Sequence, residues 1–322
     1  MLTGFEVLSP GLYTTLQDEG RFGYEDCGVP PSGAMDEMSF AIANALVGNP
    51  GSAGALEFTL TGATLRLTGD SHCRFAITGD IYFTLDERPL APYCSYPLRP
   101  GGTLRIIRAR SGARGYLAVA GGFTARPVMG SVSTLTRAGL GGFAGRPLQK
   151  GDWLALNSTD TRPAAAGRPV QRLLPQYEHR PLRVVAGPQD DHFDGAGFAR
   201  FLGGDYIISG QSDRMGYRLT GDAVPHVKGF NIISDAISRG SIQIPGNGQP
   251  IIAMNDRQTT GGYPKIATVI RADLARLGQH KPGDKVSFEC VSVEKAESLW
   301  IGRQKLLQSW LRELRRAASL DM

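Results

Sequence analysis

The sequence predicts a mainly β protein with a few helices. Its 322 residues include 42 glycines and 20 prolines. These residues separate short apolar or alternating runs, a pattern typical of strands between tight turns. A hydrophobic content of 41% can supply a substantial core, and a chain of this length favours two domains over one. We therefore expect two β-rich lobes.

Eight runs are the best strand candidates because each is apolar or alternates between apolar and polar residues. They lie at 64–69, 74–79, 103–110, 115–122, 181–187, 205–209, 250–255 and 284–293. Capping residues and apolar periodicity predict four helices. These lie at 34–48, with Ser32 or Asp36 near the start, and at 190–203, 267–278 and 294–319.

The boundary between the lobes is predicted in a segment rich in Pro, Arg and small residues, which has no helical or alternating period. We expect an N-terminal β lobe over 1–160, a linker over 161–181 and a C-terminal β lobe over 182–291. An amphipathic helix follows over 292–322, with an apolar stripe that includes two tryptophans. This helix either packs on its own lobe or binds a partner.

Composition and motifs exclude several classes of protein. The net charge of +5 comes from 35 basic and 30 acidic residues spread through the chain, so no nucleic-acid partner is expected. No secretion leader or apolar run of bilayer length is present, so we expect a cytoplasmic protein without membrane binding. The sequence contains no GxxxxGK[ST] or GxSxG motif. Its histidines lack metal-ligand spacing, so no metal site of that kind is expected.

A glycine-rich run over 138–145 contains GxGxxA. The run follows no clear strand and precedes no helix, so it does not predict a dinucleotide site. We interpret it as a loop whose backbone N–H groups could approach a carboxylate or carbonyl oxygen.

The first of three polar constellations spans 14–36. Asp18 and Arg21 precede a turn, and Ser32 to Asp36 open the first predicted helix. The Ser32 hydroxyl and the N–H groups at that helix start could bind an anionic or polarised oxygen. Alternatively, Asp18 and Arg21 form an ion pair, and Ser32 or Asp36 is only a helix cap.

The second constellation spans 209–221 and contains Asp213, Arg214 and Tyr217 beside glycines. The guanidinium could hold a substrate carboxylate through two parallel hydrogen bonds. Alternatively, Asp213 and Arg214 hold a hairpin turn together.

The third constellation, NDRQTTGGYPK over 255–265, is predicted to run from an apolar strand into a helix. It combines a carboxylate, an amide, hydroxyls and a cation with two glycines that let a ligand approach the backbone. The polar side chains belong to Asp256, Gln258, Thr259, Thr260, Tyr263 and Lys265. Few structural roles require this combination of side chains, so the third constellation is the strongest candidate for a small-molecule site.

Five separated blocks resemble the allophanate-hydrolase subunit 2 family, also called the biotin-dependent carboxyltransferase-like family. The blocks lie at 11–36, 43–62, 118–152, 212–221 and 242–284. The last block contains the third constellation. The resemblance covers nearly the whole chain, and agreement over five blocks is highly specific.

The resemblance implies two cyclophilin-like β-barrel lobes and an active site shared with a partner. In bacterial 5-oxoprolinase that partner is an allophanate-hydrolase subunit 1-like protein, called the B subunit. The complex also contains a LamB-like protein, called the A subunit. The assembly opens 5-oxo-L-proline to L-glutamate with ATP hydrolysis. ATP would be used by the complex and could be bound on a partner chain, with Mg²⁺ possible beside it. No biotinyl-lysine motif of the AMKM kind is present, so no covalent biotin is expected on this chain.

Two other functions remain open. The chain could be a carboxyltransferase-type subunit of a biotin-dependent urea carboxylase and allophanate system. It could also be a non-catalytic regulatory subunit that pairs with a kinase-inhibitor-like partner.

The 5-oxoprolinase hypothesis gives the polar groups specific roles. The substrate carboxylate would be held by Arg21 or Arg214, and the base would be Asp256 or Asp36. The remaining side chains would orient the lactam or phosphoryl oxygens or neutralise developing charge: Gln258, Thr259, Thr260, Tyr263 and Lys265.

Overall fold

The computed structural model describes residues 2–157 and 180–320, and it confirms the mainly β fold with a few helices. The α-helices of these ranges are α1 (Glu37–Leu46), α2 (Gly195–Gly203), α3 (Arg271–Gly278) and α4 (Val293–Leu320). The predicted helix over 190–203 is therefore shorter than expected, with Asp194 as its N-cap.

The described residues form two compact units. The first contains 2–21, 32–157 and 306–320, and the second contains 22–31 and 180–305. The segment 22–31 thus belongs to the second unit, although the residues before and after it belong to the first. The predicted lobe boundaries stay a prediction, and most of the predicted linker lies outside the described residues.

Two antiparallel sheets build the first unit. The six-stranded sheet has the order β11-β1-β4-β9-β6-β7. Its strands are β1 (Gly4–Ser9), β4 (Thr64–Thr68), β6 (Ile81–Leu85), β7 (Arg88–Leu90), β9 (Thr103–Ala109) and β11 (Trp153–Ala155). The five-stranded sheet has the order β2-β3-β10-β5-β8. Its strands are β2 (Thr14–Gln17), β3 (Ala55–Thr59), β5 (Cys73–Thr78), β8 (Ser95–Leu98) and β10 (Arg114–Val119).

The core of the first unit follows from strand alternation. In β4, Leu65 and Leu67 are buried and Arg66 between them is exposed, because successive side chains point to opposite faces. Leu65 and Leu67 join one core cluster with Phe58 and Phe75 of the other sheet. Every residue of β10 is buried, since α1 covers the second face of its sheet.

Helix α1 begins where the sequence predicts. Asp36 is its N-cap, and the carboxylate accepts hydrogen bonds from the N–H groups of Met38 and Ser39, both at 3.1 Å. Ser32, the other predicted cap, lies before the helix with φ 58°. The cap satisfies backbone donors that the first helical turn leaves unpaired.

The end of α4 packs against α1. Leu307, Leu311 and Leu314 are buried in one cluster with Met38 and Ile42. The leucines recur every three or four residues and therefore lie on one helix face. This part of α4 belongs to the first unit, whereas its first part, up to Lys305, belongs to the second unit as the sequence predicts.

Both tryptophans of α4 have contacts within the chain. Trp310 joins the cluster of leucines against α1. The guanidinium of Arg271 lies over the ring of Trp300, 4.4 Å from its centroid. These contacts give the tryptophans a packing role without a partner.

One eight-stranded sheet builds the second unit, in the order β20-β13-β14-β17-β16-β19-β12-β21. Its strands are β12 (Leu182–Ala186), β13 (Tyr206–Ile208), β14 (Gly216–Thr220), β16 (Ser241–Gln243), β17 (Ile251–Ala253), β19 (Lys265–Val269), β20 (Lys285–Val286) and β21 (Phe288–Cys290). A separate two-stranded ribbon pairs β15 (Asp235–Ala236) with β18 (Thr260–Gly261).

The eight-stranded sheet nearly closes into a barrel. Its edge strands β20 and β21 are separated in sequence by Ser287 alone. β20 pairs antiparallel with β13, and β21 pairs parallel with β12. One short run of chain thus occupies both edges of the sheet.

The predicted helix over 267–278 is wrong in its first part. Residues 267–269 belong to β19, and Thr268 and Val269 pair with Val185 and Val184 of β12. β-Branched side chains favour a strand here over a helix. The third constellation therefore runs from β17 through β18 into β19, so the predicted strand-to-helix junction is also wrong.

We expect Leu311→Ala to lower the free energy of unfolding by about 2 to 5 kcal/mol, because it leaves a cavity between α4 and α1. The matched control is Leu306→Ala, at a position 47% exposed on the same helix, with an expected loss under about 0.5 kcal/mol. Denaturant unfolding of both variants measures the difference. Equal losses would contradict the packing of α4 on α1.

Candidate functional site

Asp18 and Arg21 both hold the segment 128–134 of the first unit. The Asp18 carboxylate accepts hydrogen bonds from the hydroxyls of Ser131 and Ser133 at 2.6 and 2.5 Å. The buried guanidinium of Arg21 donates to two backbone carbonyl oxygens of the same segment at 3.2 and 2.7 Å. These contacts give both residues a structural role, and their role in substrate binding stays a prediction.

Asp36 lies in a buried polar network. Its carboxylate accepts a hydrogen bond from the Ser39 hydroxyl at 2.7 Å, and its N–H donates to the Tyr116 hydroxyl at 2.8 Å. The Tyr116 hydroxyl donates to the Glu57 carboxylate at 2.7 Å. Burial, together with the charges of Glu57 and Asp36, raises the pKa of Tyr116 well above its ordinary value. The network fixes the start of α1, and the role of Asp36 as a base stays a prediction.

Packing explains Gly141 and Gly142 in the loop 138–145. A Cβ on Gly141 would lie 2.1 Å from the carbonyl oxygen of Ser133, and one on Gly142 would lie 1.8 Å from the Thr134 hydroxyl. The N–H of Gly142 donates to a backbone carbonyl of the same neighbouring segment at 2.9 Å. The close approach of two backbone segments thus requires glycine here.

The second and third constellations meet in a buried ion pair. Nε and Nη2 of Arg214 donate to the two carboxylate oxygens of Asp256 at 2.9 and 3.0 Å. Each side chain is only 5% exposed. The N–H of Asp256 also donates to the carbonyl oxygen of Arg214 at 2.8 Å. The pair joins the residues before β14 to the residues that follow β17. The roles of Asp256 as a base and of Arg214 in binding the substrate carboxylate stay predictions.

Asp213 and Tyr217 flank this pair in different environments. The Asp213 carboxylate accepts a hydrogen bond from the N–H of Met215 at 2.8 Å and stabilises the turn before β14. Tyr217 is buried, and its hydroxyl lies 3.3 Å from the carbonyl oxygen of His280. Asp213 is thus a turn residue and Tyr217 is a core residue. A role of either residue in substrate binding stays a prediction.

The ribbon carries the exposed part of the third constellation. In addition to the strand pairing, the N–H of Ile237 donates to the carbonyl oxygen of Thr259 at 2.9 Å. A Cβ on Gly261 would lie 2.6 Å from the Ile237 side chain, so glycine lets the two strands approach. Thr259 is half-buried, and the exposed side chains are Gln258, Thr260 and Tyr263. These polar groups are open to a ligand or partner.

Lys265 is buried beside the ribbon and binds Asp235. Its ammonium group donates to the Asp235 carboxylate at 2.7 Å, and Gln189 donates to the same oxygen at 3.1 Å. The N–H of Ala236 donates to the other oxygen at 2.8 Å. Hydrogen bonds from Lys265 and Gln189 lower the pKa of Asp235 to about 2. Asp235 therefore fixes the position of the lysine.

Arg257 is a buried cation within the third constellation that sequence reasoning missed. Nε of its guanidinium donates to the carbonyl oxygen of Ile237 at 2.8 Å, and Nη2 forms an ion pair with Glu25. Burial lowers the pKa of Arg257, the Glu25 carboxylate opposes this shift, and the positive charge of Arg239 adds to it. The feature of the sequence that could have identified Arg257 was its position between Asp256 and Gln258.

We name five residues the cationic cluster: Glu25, Asp235, Arg239, Arg257 and Lys265. Asp235 and Arg239 lie on one short segment, and the contacts above link Lys265 and Arg257 to that segment. The cluster has three cations and two carboxylates. Two of its cations are paired within the chain, Lys265 with Asp235 and Arg257 with Glu25.

Within residues 2–157 and 180–320, no helix is long and apolar enough to cross a membrane. The His, Cys, Asp and Glu side chains of the same residues form no group of three or more that could hold a metal ion.

Comparison with known proteins identifies the family of this chain. Residues 27–290 match the family model described as the carboxyltransferase domain, subdomain A and B. The chain belongs to this family. It is 40% identical to the C subunit of 5-oxoprolinase from Escherichia coli (strain K12) over 292 residues, which cover 90% of this chain and 92% of that protein. The resemblance found in the sequence is therefore confirmed.

Larger urea-metabolising enzymes contain a similar region. The urea amidolyase of Saccharomyces cerevisiae is 34% identical over 92% of this chain and 17% of that protein. The crystal structure of the K. lactis urea amidolyase superposes with a TM-score of 0.87 and 32% identity, over 95% of this chain and 20% of that one. The chain thus spans about a fifth of the length of these enzymes.

We expect Asp256→Asn to lower the free energy of unfolding by about 3 to 5 kcal/mol, because the buried Arg214 guanidinium loses its carboxylate partner. Asp213→Asn, at an exposed turn position, is the control and should cost less than about 1 kcal/mol. Urea unfolding compares the two variants. A small, equal loss in both would show that the buried pair does not stabilise the fold.

Asp235 predicts a pH dependence of stability. It keeps its charge down to about pH 2 in the folded protein, whereas an unfolded chain protonates it near pH ~3.9. Its contribution is therefore fully present above about pH 5 and is lost as the pH falls toward about 2. The difference in unfolding free energy between the wild type and Asp235→Asn should shrink over that range, as measured by urea unfolding at several pH values. A difference independent of pH would refute this.

Proposed function

We propose that the chain belongs to an ATP-dependent 5-oxoprolinase complex, which hydrolyses 5-oxo-L-proline to L-glutamate. The observation that carries the proposal is the 40% identity to the Escherichia coli C subunit of 5-oxoprolinase, aligned over 92% of that protein. The protein of the same name from Haemophilus influenzae (strain ATCC 51907 / DSM 11121 / KW20 / Rd) is 38% identical over 93% of its length.

The reaction needs activation because a lactam is resonance-stabilised and resists attack by water. ATP would supply the phosphoryl group that activates the lactam oxygen. The residues of this chain would bind and orient the ring. Lys265 supplies a fixed positive charge, and Gln258, Thr259, Thr260 and Tyr263 supply hydrogen-bonding groups on the ribbon. A charge held in place by Asp235 costs little reorganisation when negative charge develops.

Asp256 is a weaker candidate for the base than its sequence context implied. A general base must reach the proton that it removes. Both Asp256 oxygens are bonded to Arg214 in a buried pair. Asp36 is buried as a helix cap. A base supplied by a partner chain fits these environments better, and Lys265 remains the best catalytic candidate on this chain.

We assign ATP, with Mg²⁺ as its companion, to a partner chain. The loop 138–145 is a poor phosphate cradle, because the N–H of Gly142 is bonded to a carbonyl oxygen and the space beside it is filled. The partners proposed are the allophanate-hydrolase subunit 1-like B subunit and the LamB-like A subunit. Exposed polar groups on the ribbon suit a site that a second chain completes.

A carboxyltransferase role in a biotin-dependent urea carboxylase system is the second candidate. The observation in its favour is the TM-score of 0.87 with the Kluyveromyces lactis urea carboxylase structure. The identity of 32% is lower than that to the 5-oxoprolinase proteins. This role requires a biotin carrier on another chain.

Mixing this chain with its two partners should give ATP-dependent release of glutamate from 5-oxo-L-proline, measured with glutamate dehydrogenase. Omitting this chain should abolish the release. Activity that persists without the chain would end the enzymatic proposal. Carboxylation of urea by this chain when it is mixed with a biotin carboxylase and a biotin carrier would favour the second candidate.

Replacing Lys265 tests its role in the same assay. We expect Lys265→Gln to lower kcat/KM about 100-fold, because a fixed charge near the reacting oxygen is lost. Lys285→Gln, at an exposed position, should retain wild-type activity. Thr260→Ala, also exposed, tests the ribbon without disturbing the core and should lower kcat/KM about tenfold. Full activity of both Lys265→Gln and Thr260→Ala would show that the active site does not include the ribbon.

A further inference from the structure

We propose that Gln189 is a positioning residue for Lys265: its side-chain amide holds the backbone of the lysine and orients the carboxylate that binds the ammonium group. Gln189 lies outside the three polar constellations of the sequence. The catalytic part of this inference rests on the proposed function, in which Lys265 supplies a fixed positive charge. The positional part rests only on contacts within the second unit.

Gln189 reaches Lys265 because the chain stays close to β19 after β12 ends at Ala186. The next residue, Gly187, donates its N–H to the carbonyl oxygen of Ile266 at 2.9 Å. A Cβ on Gly187 would lie 2.1 Å from the carbonyl oxygen of Lys265, so this close approach requires glycine. Gln189 follows two residues later and is half-buried.

The Gln189 amide forms a hydrogen bond at each of its two polar atoms. Its oxygen accepts a hydrogen bond from the N–H of Lys265 at 3.2 Å, and its nitrogen donates to the Asp235 carboxylate at 3.1 Å. The Lys265 ammonium group donates to the same carboxylate oxygen at 2.7 Å. An amide suits this place because the backbone N–H needs an acceptor and the carboxylate needs a donor. Gln189 and Asp235 thus connect the backbone of the lysine to its charged end.

Asp235 needs a second contact because it lies on the exposed ribbon. Its side chain is 49% exposed, whereas that of Lys265 is 2% exposed. Water competes for the hydrogen bonds of an exposed carboxylate, and its side chain has other rotamers to adopt. The hydrogen bond from Gln189 and the one from the N–H of Ala236 hold the two carboxylate oxygens in one orientation. After Lys265, Gln189 is also the largest cause of the low pKa of Asp235.

The fixed carboxylate leaves part of the ammonium group available to a ligand. An ammonium group has three N–H donors. Within residues 2–157 and 180–320, Lys265 donates one side-chain hydrogen bond, to Asp235. The remaining donors are then held in place for ligand oxygens before the reaction begins. Without Gln189 the charge would remain but its position would not be fixed, so kcat should fall more than KM rises.

Two substitutions test this role in the reconstituted 5-oxoprolinase complex. Gln189→Met keeps the length of the side chain and removes both hydrogen bonds. We expect kcat about tenfold below the wild-type value, with KM changed less than about twofold. Gln189→Glu keeps the shape and the acceptor for the N–H of Lys265. It also places a second carboxyl group beside Asp235, where the amide nitrogen lies 3.1 Å from the carboxylate.

Gln189→Glu should have a characteristic pH dependence. A protonated carboxyl group donates to Asp235 as the amide does, whereas an ionised one repels it. The charge of Asp235 raises the pKa of the introduced carboxyl group. The ratio of variant to wild-type kcat at equal pH should therefore approach one at about pH 5 and fall about tenfold by about pH 8. The other charged or titratable groups nearby are on β19 and on the short 3-10 helix that follows Gln189: Lys265, Asp190, Asp191 and His192.

Two controls separate this effect from those neighbouring groups and from added charge. Gln189→Met keeps the same neighbours, so its ratio to the wild-type kcat should not change with pH. Gln211→Glu adds the same charge at an exposed position of the second unit, and it should keep the wild-type kcat at every pH.

Acetylation of Lys265 by acetic anhydride, followed by mass spectrometry of the folded chain, needs no enzymatic activity. A buried and fixed ammonium group is protected from the reagent. Gln189→Met should therefore raise the acetylation rate of Lys265 several-fold, and Gln211→Glu should leave it unchanged. Thermal unfolding checks that each variant folds.

The outcomes separate this inference from the proposed function. Wild-type kcat and unchanged acetylation of Lys265 in Gln189→Met would overturn the inference, and so would an equal loss in Gln189→Glu at every pH. If Gln189→Met does not fold, the pH dependence of Gln189→Glu decides. If the wild-type complex releases no glutamate, the proposed function fails, and the acetylation rates still decide whether Gln189 positions Lys265.

Discussion

The buried pair of Arg214 and Asp256 is the interaction on which the candidate site depends. The paired residues of β14 and β17 end at Gly216 and Ala253. Backbone hydrogen bonds from Met254 and Asp256 continue the contact, and the side-chain pair adds two more hydrogen bonds at its end. A buried ion pair is weak evidence for stability because desolvation costs offset the attraction. Its two parallel hydrogen bonds nevertheless define one geometry. They fix the point at which the chain leaves the sheet, and hence the position of Arg257 and the ribbon.

Much of the fold could be predicted from local sequence. The N-cap at Asp36 and the alternation in β4 follow from side-chain chemistry and strand geometry. The helix predicted from 267 was wrong because a short apolar run buried on both faces has no period that separates strand from helix. Pairing of Val269 with Val184, far apart in sequence, decides its conformation.

The candidate site was harder to predict, since its members are separated along the chain. The sequence places Gln258, Thr260 and Lys265 together, but not Asp235 or Glu25, which contact the same region only after folding. Polar residues also have ordinary structural uses. Asp18 and Arg21 resemble ligand-binding groups in composition, yet their observed contacts hold a backbone segment. Residue type alone cannot separate these two uses of the same chemistry.

The leucine face of α4 has a consequence for handling the protein. Leu307, Leu311 and Leu314 shield Met38 and Ile42 of α1 from water. Cleavage by a protease ahead of Leu307 would release these leucines and leave an apolar patch on an otherwise intact sheet unit. Such patches promote self-association, so a preparation nicked in α4 would aggregate while its β-sheets remain folded.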